Sequence, residues 1–325
     1  MSGAFFDLSA VTGAITPATA GKADPADPAA RAGHLVHPPR VGFFTDTSIC
    51  IGCKACEVAC KEWNAVPEDG ISLSGMSYDN TVGLGASTWR HVAFIEQPAV
   101  RAPDSAGGFG GVLGSVGADG AGADGARADG GGADGAEAMR WLMSSDVCKH
   151  CTESACLDVC PTGALFRTEF GTVVVQDDVC NGCGYCIPAC PFGVIARREE
   201  DGGAHKCTLC YDRLGAGMEP ACAKACPTKS IQFGPLDELR DRARLRVEAL
   251  HQAGQDKAQL YLEDPADGIG GGGAFFLLLD RPEVYGLPPD PVVTTRDLPG
   301  MWRHVAIAAG GLAVTAVALG LGRRK

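Results

Sequence analysis

With 325 residues the chain is long enough for about two ordinary domains. A formal net charge of −11 argues against a nucleic-acid partner, which asks for basic patches. A hydrophobic fraction of 46% allows a packed core, but aromatics at 6% and 45 glycines favour loops over large cores, and sixteen cysteines are far beyond chance.

Residues 1–40 are rich in Ala, Pro, Asp and Gly and read as an irregular N-terminal arm. The opening MSGAFFDLSAVTG lacks a basic segment followed by a long apolar run, so it does not read as a secretory signal. A cysteine-rich region follows, starting over 41–100 with Cys50, Cys53, Cys56 and Cys60. It is interrupted over 101–138, where ADGAG ADGAR ADGGG ADGAE sets Asp119, Asp124, Asp129 and Asp134 in five-residue register. Calcium-binding β-rolls repeat every nine residues and bury an apolar side chain in each turn; here nothing larger than Ala recurs, so the stretch reads as a flexible insertion.

Residues 139–200 carry two further groups, Cys148, Cys151, Cys156, Cys160 and Cys180, Cys183, Cys186, Cys190. Residues 201–235 carry the fourth, Cys207, Cys210, Cys222, Cys226. Over 236–300, Leu236, Leu239, Ala243, Val247 and Leu250 follow helical spacing with Gly254 as the stop, residues 274–280 read as a short buried strand, and GLPPDPVV as an extended tether. In 301–325, eighteen uncharged residues from Val305 to Gly322 precede Arg323, Arg324 and Lys325. Such a run rises about 27 Å as a helix, near the hydrocarbon thickness of a bilayer, with Trp302 suited to the interface. The expectation is one transmembrane helix with small residues, Ala306 with Gly310 and Ala309 with Ala313, facing another helix.

Three chemistries compete for the thiols. Disulfides need cysteines facing each other across a fold, which C-x₂-C-x₂-C runs do poorly. Zinc ribbons use two C-x₂-C pairs about 15 to 20 residues apart, and a third cysteine three residues on has no place there. Cubane iron–sulfur clusters fit: three thiolates converge from one loop, and the fourth, often followed by Pro, reaches a neighbouring cluster. Pro161, Pro191 and Pro227 stand after the fourth cysteine, with Lys61 in that place in group one. Sixteen thiolates at four each imply four [4Fe–4S] clusters. Gly52, Gly182 and Gly184 allow close backbone approach, and Lys54, Lys149, Lys206 and Lys224 are candidates for tuning cluster potentials or are plain solvated lysines. His150 and His205 read as supporting or solvated, not catalytic.

CIGCKACEVACKEWN, CKHCTESACLDVCPTGA, NGCGYCIPACPFGVI and HKCTLCYDR followed by ACAKACP resemble the four-cluster subunits of molybdopterin oxidoreductases, above all the beta subunit of membrane-bound formate dehydrogenase. The KEWN after group one and STWRHVAFIEQ at 87–97 resemble it as well. The resemblance implies an α+β fold of two interleaved, loop-rich ferredoxin-like modules, group one sharing clusters with group four and group two with group three. Spacing alone shows that fourth cysteines cross over; which groups are partners comes from the resemblance. It implies Cys50, Cys53, Cys56 and Cys226 on cluster 1, and Cys60, Cys207, Cys210 and Cys222 on cluster 2. Cluster 3 takes Cys148, Cys151, Cys156 and Cys190, and cluster 4 takes Cys160, Cys180, Cys183 and Cys186.

The resemblance further implies an electron relay with no catalytic centre of its own. Its partners would be a molybdenum- or tungsten-pterin alpha subunit that oxidises formate and a membrane haem b or quinone-binding subunit. The basic tail places the cluster region on the outer membrane face, the cytoplasmic face being the alternative. The same relay in a polysulfide, sulfoxide, tetrathionate or nitrate reductase or a hydrogenase stays open, as does a zinc-bearing structural module.

Overall fold

The computed structural model describes residues 27–70, 75, 78, 79, 81–98 and 139–322. The pentapeptide repeat, most of the N-terminal arm and the last three residues lie outside the described residues. The chain forms two compact units: residues 1–94 together with 143–325, and Ile95–Leu142. The second unit contains the end of strand β2 (Arg90–Pro98) and the start of strand β3 (Met139–Val147), which pair in a two-stranded sheet.

The centre of the first unit is strand β1 (Val41–Asp46), buried along its whole length. It pairs antiparallel with β8 (Ile231–Pro235), Thr45 opposite Ile231, and parallel with β10 (Ala274–Leu278), Phe43 opposite Ala274. β9 (Gln259–Tyr261) completes the order β8-β1-β10-β9. Residues buried on both faces read as continuous apolar runs rather than alternating ones, and VGFF with AFFLL do so. Phe44 stacks on Phe275 at 5.3 Å, and each such buried ring contributes about 1.5–3 kcal/mol. Helix α7 (Leu236–Gln252) packs against β1 with Leu236, Leu239, Ala243 and Leu250 buried and Val247 half-buried; Gly254 at φ 80° follows its end.

This sheet closes the cysteine region at its base. β1 ends four residues before Cys50 and β8 begins five after Cys226, so their pairing brings the first and last cysteines together. The start of β10 is tied to group two by Ala274 N donating to Lys149 O at 2.9 Å and Gly273 N to His150 O at 3.2 Å. Hairpins β4 (Leu165–Arg167) with β5 (Val173–Val175), and β6 (Ala196–Arg197) with β7 (Ala204–His205), follow groups two and three.

Three expectations are refined. The arm read as irregular holds a short helix, α1 (Pro28–Arg31), with Asp27 accepting from Ala29 N at 2.8 Å. The expected tether, GLPPDPVV at 286–293, follows a 3₁₀ turn over Pro282–Tyr285 and itself forms neither helix nor strand. Helix α8 (Leu298–Gly322) occupies the expected C-terminal span, but among the described residues no helix is long and apolar enough to cross a membrane. Arg303 and His304 lie in its first turns, and the side chains near its end, at 318 and 320–322, lie outside the described ones.

Candidate metal centre

All sixteen cysteines are described, and all are free thiols. In the first C-x-x-C pair of each of the four groups the residue before the second cysteine lies in the left-handed region: Gly52 at φ 66°, His150 at 43°, Gly182 at 69° and Leu209 at 57°. The reversal lets both thiols of a pair line one cavity, as Cys50 with Cys53 and Cys148 with Cys151 do. Glycine adopts it freely, whereas His150 and Leu209 are held there at a cost of about 1–3 kcal/mol each. Gly52 and Gly182 were legible from sequence; His150 and Leu209 were legible only from their matching loop position.

The fourth cysteine of a group ends a short helix. α3 (Ala155–Asp158), α4 (Cys186–Ala189) and α6 (Ala221–Ala225) stop before Cys160-Pro161, Cys190-Pro191 and Cys226-Pro227. Proline removes an amide donor and pushes its predecessor out of the helical region. Each chain then turns back, with Gly163, Gly193 and Lys229 donating to the carbonyls of Cys160, Cys190 and Cys226 at 3.3–3.4 Å. Group one has Lys61 instead, and α2 (Ala55–Trp63) runs through Cys60 to Trp63. That extra turn delivers Asn64, whose Nδ2 lies 2.8 Å from Cys60 O and 3.7 Å from the sulfurs of both Cys60 and Cys210. Trp63 donates to Asp212 at 2.8 Å and lies 4.1 Å from the Arg213 guanidinium. The KEWN segment thus clasps group four.

The thiols gather in four sets. One cavity is lined by Cys50, Cys53, Cys56 and Cys226, beneath Ser230 and Ile231. Another is lined by Cys148, Cys151, Cys156 and Cys190, with Lys206 and Val194. Cys60 lies among Cys207, Cys222 and Cys210, and Cys186 among Cys180, Cys160 and Cys183. Helix α2 packs on α6, and α3 on α4, so group one meets four and group two meets three. Among the described residues no three or more His, Cys, Asp or Glu side chains surround a single metal-ion position; the thiols line cavities instead.

Electrostatics tests whether a cluster suits these sets. Burial pushes the Cys56 and Cys186 thiols up to about 11 and Cys156 up to about 12. Burial, then neighbouring thiols, raise Cys60, Cys151 and Cys207 as well. Four sulfurs that cannot all ionise together become compatible with burial once a polycationic iron core stands among them, because iron replaces the protons. Amides assist: Leu209 N lies 3.3 Å from Cys207 Sγ and Ala204 N 3.5 Å from Cys180 Sγ.

The four expected tuning lysines fall into different places. Lys206 is fully buried and donates to the carbonyls of Val173 and Cys207, and Lys149 is fully buried against Asp146 and Val147 O. Their charges favour the thiolates of Cys156, and of Cys151 and Cys190, respectively. Lys54 is held by Glu57 at 3.2 Å and Asp79 at 3.3 Å, and Lys224 is exposed. Among the described residues none of the four donates to a cysteine sulfur. His150 accepts from Val173 N at 3.1 Å, and burial followed by Lys206 keeps it neutral; His205 pairs with Asp201 at 2.8 Å. Both hold loops in place.

Sequence reasoning passed over Arg90, which is almost wholly buried and reaches Cys222 Sγ at 3.4 Å. Burial works against its charge, but Cys222, Cys56, Cys207 and Cys60 outweigh burial and hold its pKa above the usual range. The available signal was its place in STWRHVAFIEQ, a charged residue opening a strand.

Residues 139–236 match the family described as 4Fe-4S dicluster domain, and residues 47–63 the 4Fe-4S binding domain. The chain is similar to the formate dehydrogenase iron-sulfur subunit of Haemophilus influenzae, 37% identical over 87% of this chain and 80% of that protein. It is similar to the formate dehydrogenase-O iron-sulfur subunit of Escherichia coli, 37% identical over 85% and 80%. It is also similar to the B subunit of the anaerobic dimethyl sulfoxide reductase of E. coli, 32% identical over 62% and 76%.

Proposed function

Because the chain belongs to the family of formate dehydrogenase iron–sulfur subunits, we propose that it is the electron conductor of a formate-oxidising complex whose catalytic centre sits on another subunit. When bound, four [4Fe–4S] clusters supply one-electron carriage. The ligands are Cys50, Cys53, Cys56 and Cys226; Cys60, Cys207, Cys210 and Cys222; Cys148, Cys151, Cys156 and Cys190; and Cys160, Cys180, Cys183 and Cys186.

The observation that carries the reading is the order in which the sets stand side by side. Cys56 of the first and Cys222 of the second flank Arg90. Cys207 of the second feels Cys148 of the third, and Cys156 of the third feels Cys186 of the fourth. The sets therefore form one row. Cys53 in the first set and Cys183 in the last are the exposed thiols, while the second set is buried throughout. Electrons would arrive and leave at the ends, and the burial of the second set keeps water from its carrier.

The row has a direction. Just before α8, Thr294 donates to Ala189 O at 3.0 Å and Thr295 to Asp158 Oδ2 at 2.6 Å, so the C-terminal helix departs from groups two and three. We assign that end to a membrane haem b or quinone-binding partner and the Cys53 end to a molybdenum- or tungsten-pterin partner. Membrane attachment through α8 is supported by its exposed apolar side chains, from Val305 and Ile307 to Leu312, Val314 and Val317. The basic tail favours the outer face for the cluster region.

The complex purified from membranes with its partners tests the reading. About sixteen irons per chain and formate-driven reduction of viologen and quinone are expected. Sixteen irons without formate activity would move the substrate to a reductase such as the sulfoxide-reducing relative, and zinc in place of iron would end the reading.

A further inference from the structure

Two thiol sets meet at one buried cation. Arg90 opens β2 and is 1% exposed. Its Nη2 lies 3.4 Å from the sulfur of Cys222, in the second thiol set. Its Nη1 lies 3.2 Å from Ser145 O and 3.3 Å from Ser145 Oγ. That hydroxyl lies 3.3 Å from the sulfur of Cys56, in the first set. The ring of Phe43 covers the guanidinium at 4.8 Å and shields it from water. An arginine side chain cannot shed its proton in such a place, and its hydrogen-bond acceptors are a sulfur, a carbonyl and a hydroxyl rather than a carboxylate.

We propose that Arg90 sets the reduction potentials of two neighbouring clusters, by direct donation to the one on Cys222 and through Ser145 to the one on Cys56. Adding an electron to a cluster makes its sulfurs more negative, and a fixed positive charge and an N–H donor favour that state. Both act on Cys222. On Cys56 the serine intervenes: Nη1 occupies a lone pair of Oγ, which leaves the hydroxyl proton for the sulfur. The second cluster should therefore feel Arg90 more than the first. The assignment contrasts with Lys54 and Lys149, whose charges are countered by carboxylates. It rests on the reading that these thiols hold clusters, and iron content checks that separately.

The experiment is a redox titration of the purified holo-complex with dithionite, in the absence of formate, followed by the electron paramagnetic resonance of each cluster. In Arg90→Gln the midpoint of the second cluster should fall about tenfold in reduced-to-oxidised ratio, which is about 59 mV for one electron. The first should fall by less. Arg90→Lys keeps the charge and should restore most of the second midpoint but leave the first low, since an ammonium lacks the fork that reaches both partners. Ser145→Ala should lower the first midpoint alone. Full iron with unchanged midpoints in Arg90→Gln would overturn the proposal. Should that variant fail to assemble its clusters, Ser145→Ala decides, and an unmoved first midpoint there overturns it. Loss of iron from the wild type would instead overturn the cluster reading itself.

Discussion

At the residue scale, one backbone requirement recurs in the first C-x-x-C loop of each cysteine group and is met in two ways. Gly52 and Gly182 adopt φ > 0 without penalty, whereas His150 is restrained by its bond from Val173 and Leu209 by complete burial. Space at the glycines is as limited as conformation. A Cβ on Gly182 would lie 2.4 Å from Gly202 O, a backbone atom that cannot swing aside. Gly182→Ala should cost about 1–3 kcal/mol and deprive the neighbouring set of its cluster, lowering iron by about four per chain. Iron analysis of the purified variant checks this. The lysines show why adjacency in sequence is a poor guide to charge: Lys54 sits next to Cys53 yet directs its charge to Glu57 and Asp79, while Arg90 is 132 residues from Cys222 and touches its sulfur.

At the element scale, the four-stranded sheet and α7 are the part of the molecule that folds by ordinary burial. Leu239 is 1% exposed on the face of α7 toward β1, and Leu245 on the other face is 67% exposed. Leu239→Ala should cost about 2–5 kcal/mol and Leu245→Ala under about 0.5, read as the shift in denaturant midpoint of cluster bleaching. The sheet matters to the centre because β1 and β8 carry Cys50 and Cys226 to the same place. Helix α8 takes no part in that core. Its described side chains are exposed from Met301 to Val317. Removal of residues 301–325 should leave iron content intact, release the complex from membranes and abolish quinone reduction while viologen reduction persists. Fractionation with the two assays reads all three.

At the scale of the whole molecule, the cysteine region from Cys148 to Cys226 has short helices and strands of two or three residues, so its clusters act as its core. Chelation of iron should remove tertiary structure there in one step, seen as loss of near-ultraviolet circular dichroism together with colour. The direction with pH follows from the thiols. Burial raises Cys56 to about 11 and Cys156 to about 12 when no iron compensates them, so protons compete strongly for these sulfurs. Cluster loss under a fixed chelator concentration should accelerate as pH falls from about 8 to about 6 and slow as it rises, because each sulfur freed from iron takes up a proton. An unchanged rate across that range would mean that thiol protonation does not drive the release.

By itself the sequence determined the chemistry, since C-x₂-C-x₂-C-x₃-C is a local pattern whose meaning lies in spacing. It also determined where helices stop, because proline acts on its own backbone, and the buried face of α7, because helical period is local. Only the tertiary structure decided which sulfurs stand together: the β1–β8 pairing joins residues almost two hundred apart, and Cys207 comes near enough to Cys148, and Cys156 to Cys186, to feel each other's charge. Charge followed the same rule. A cation's influence falls with distance and is cancelled by a nearer anion, so Arg90 became visible as the partner of two thiol sets only when the chain was folded around it.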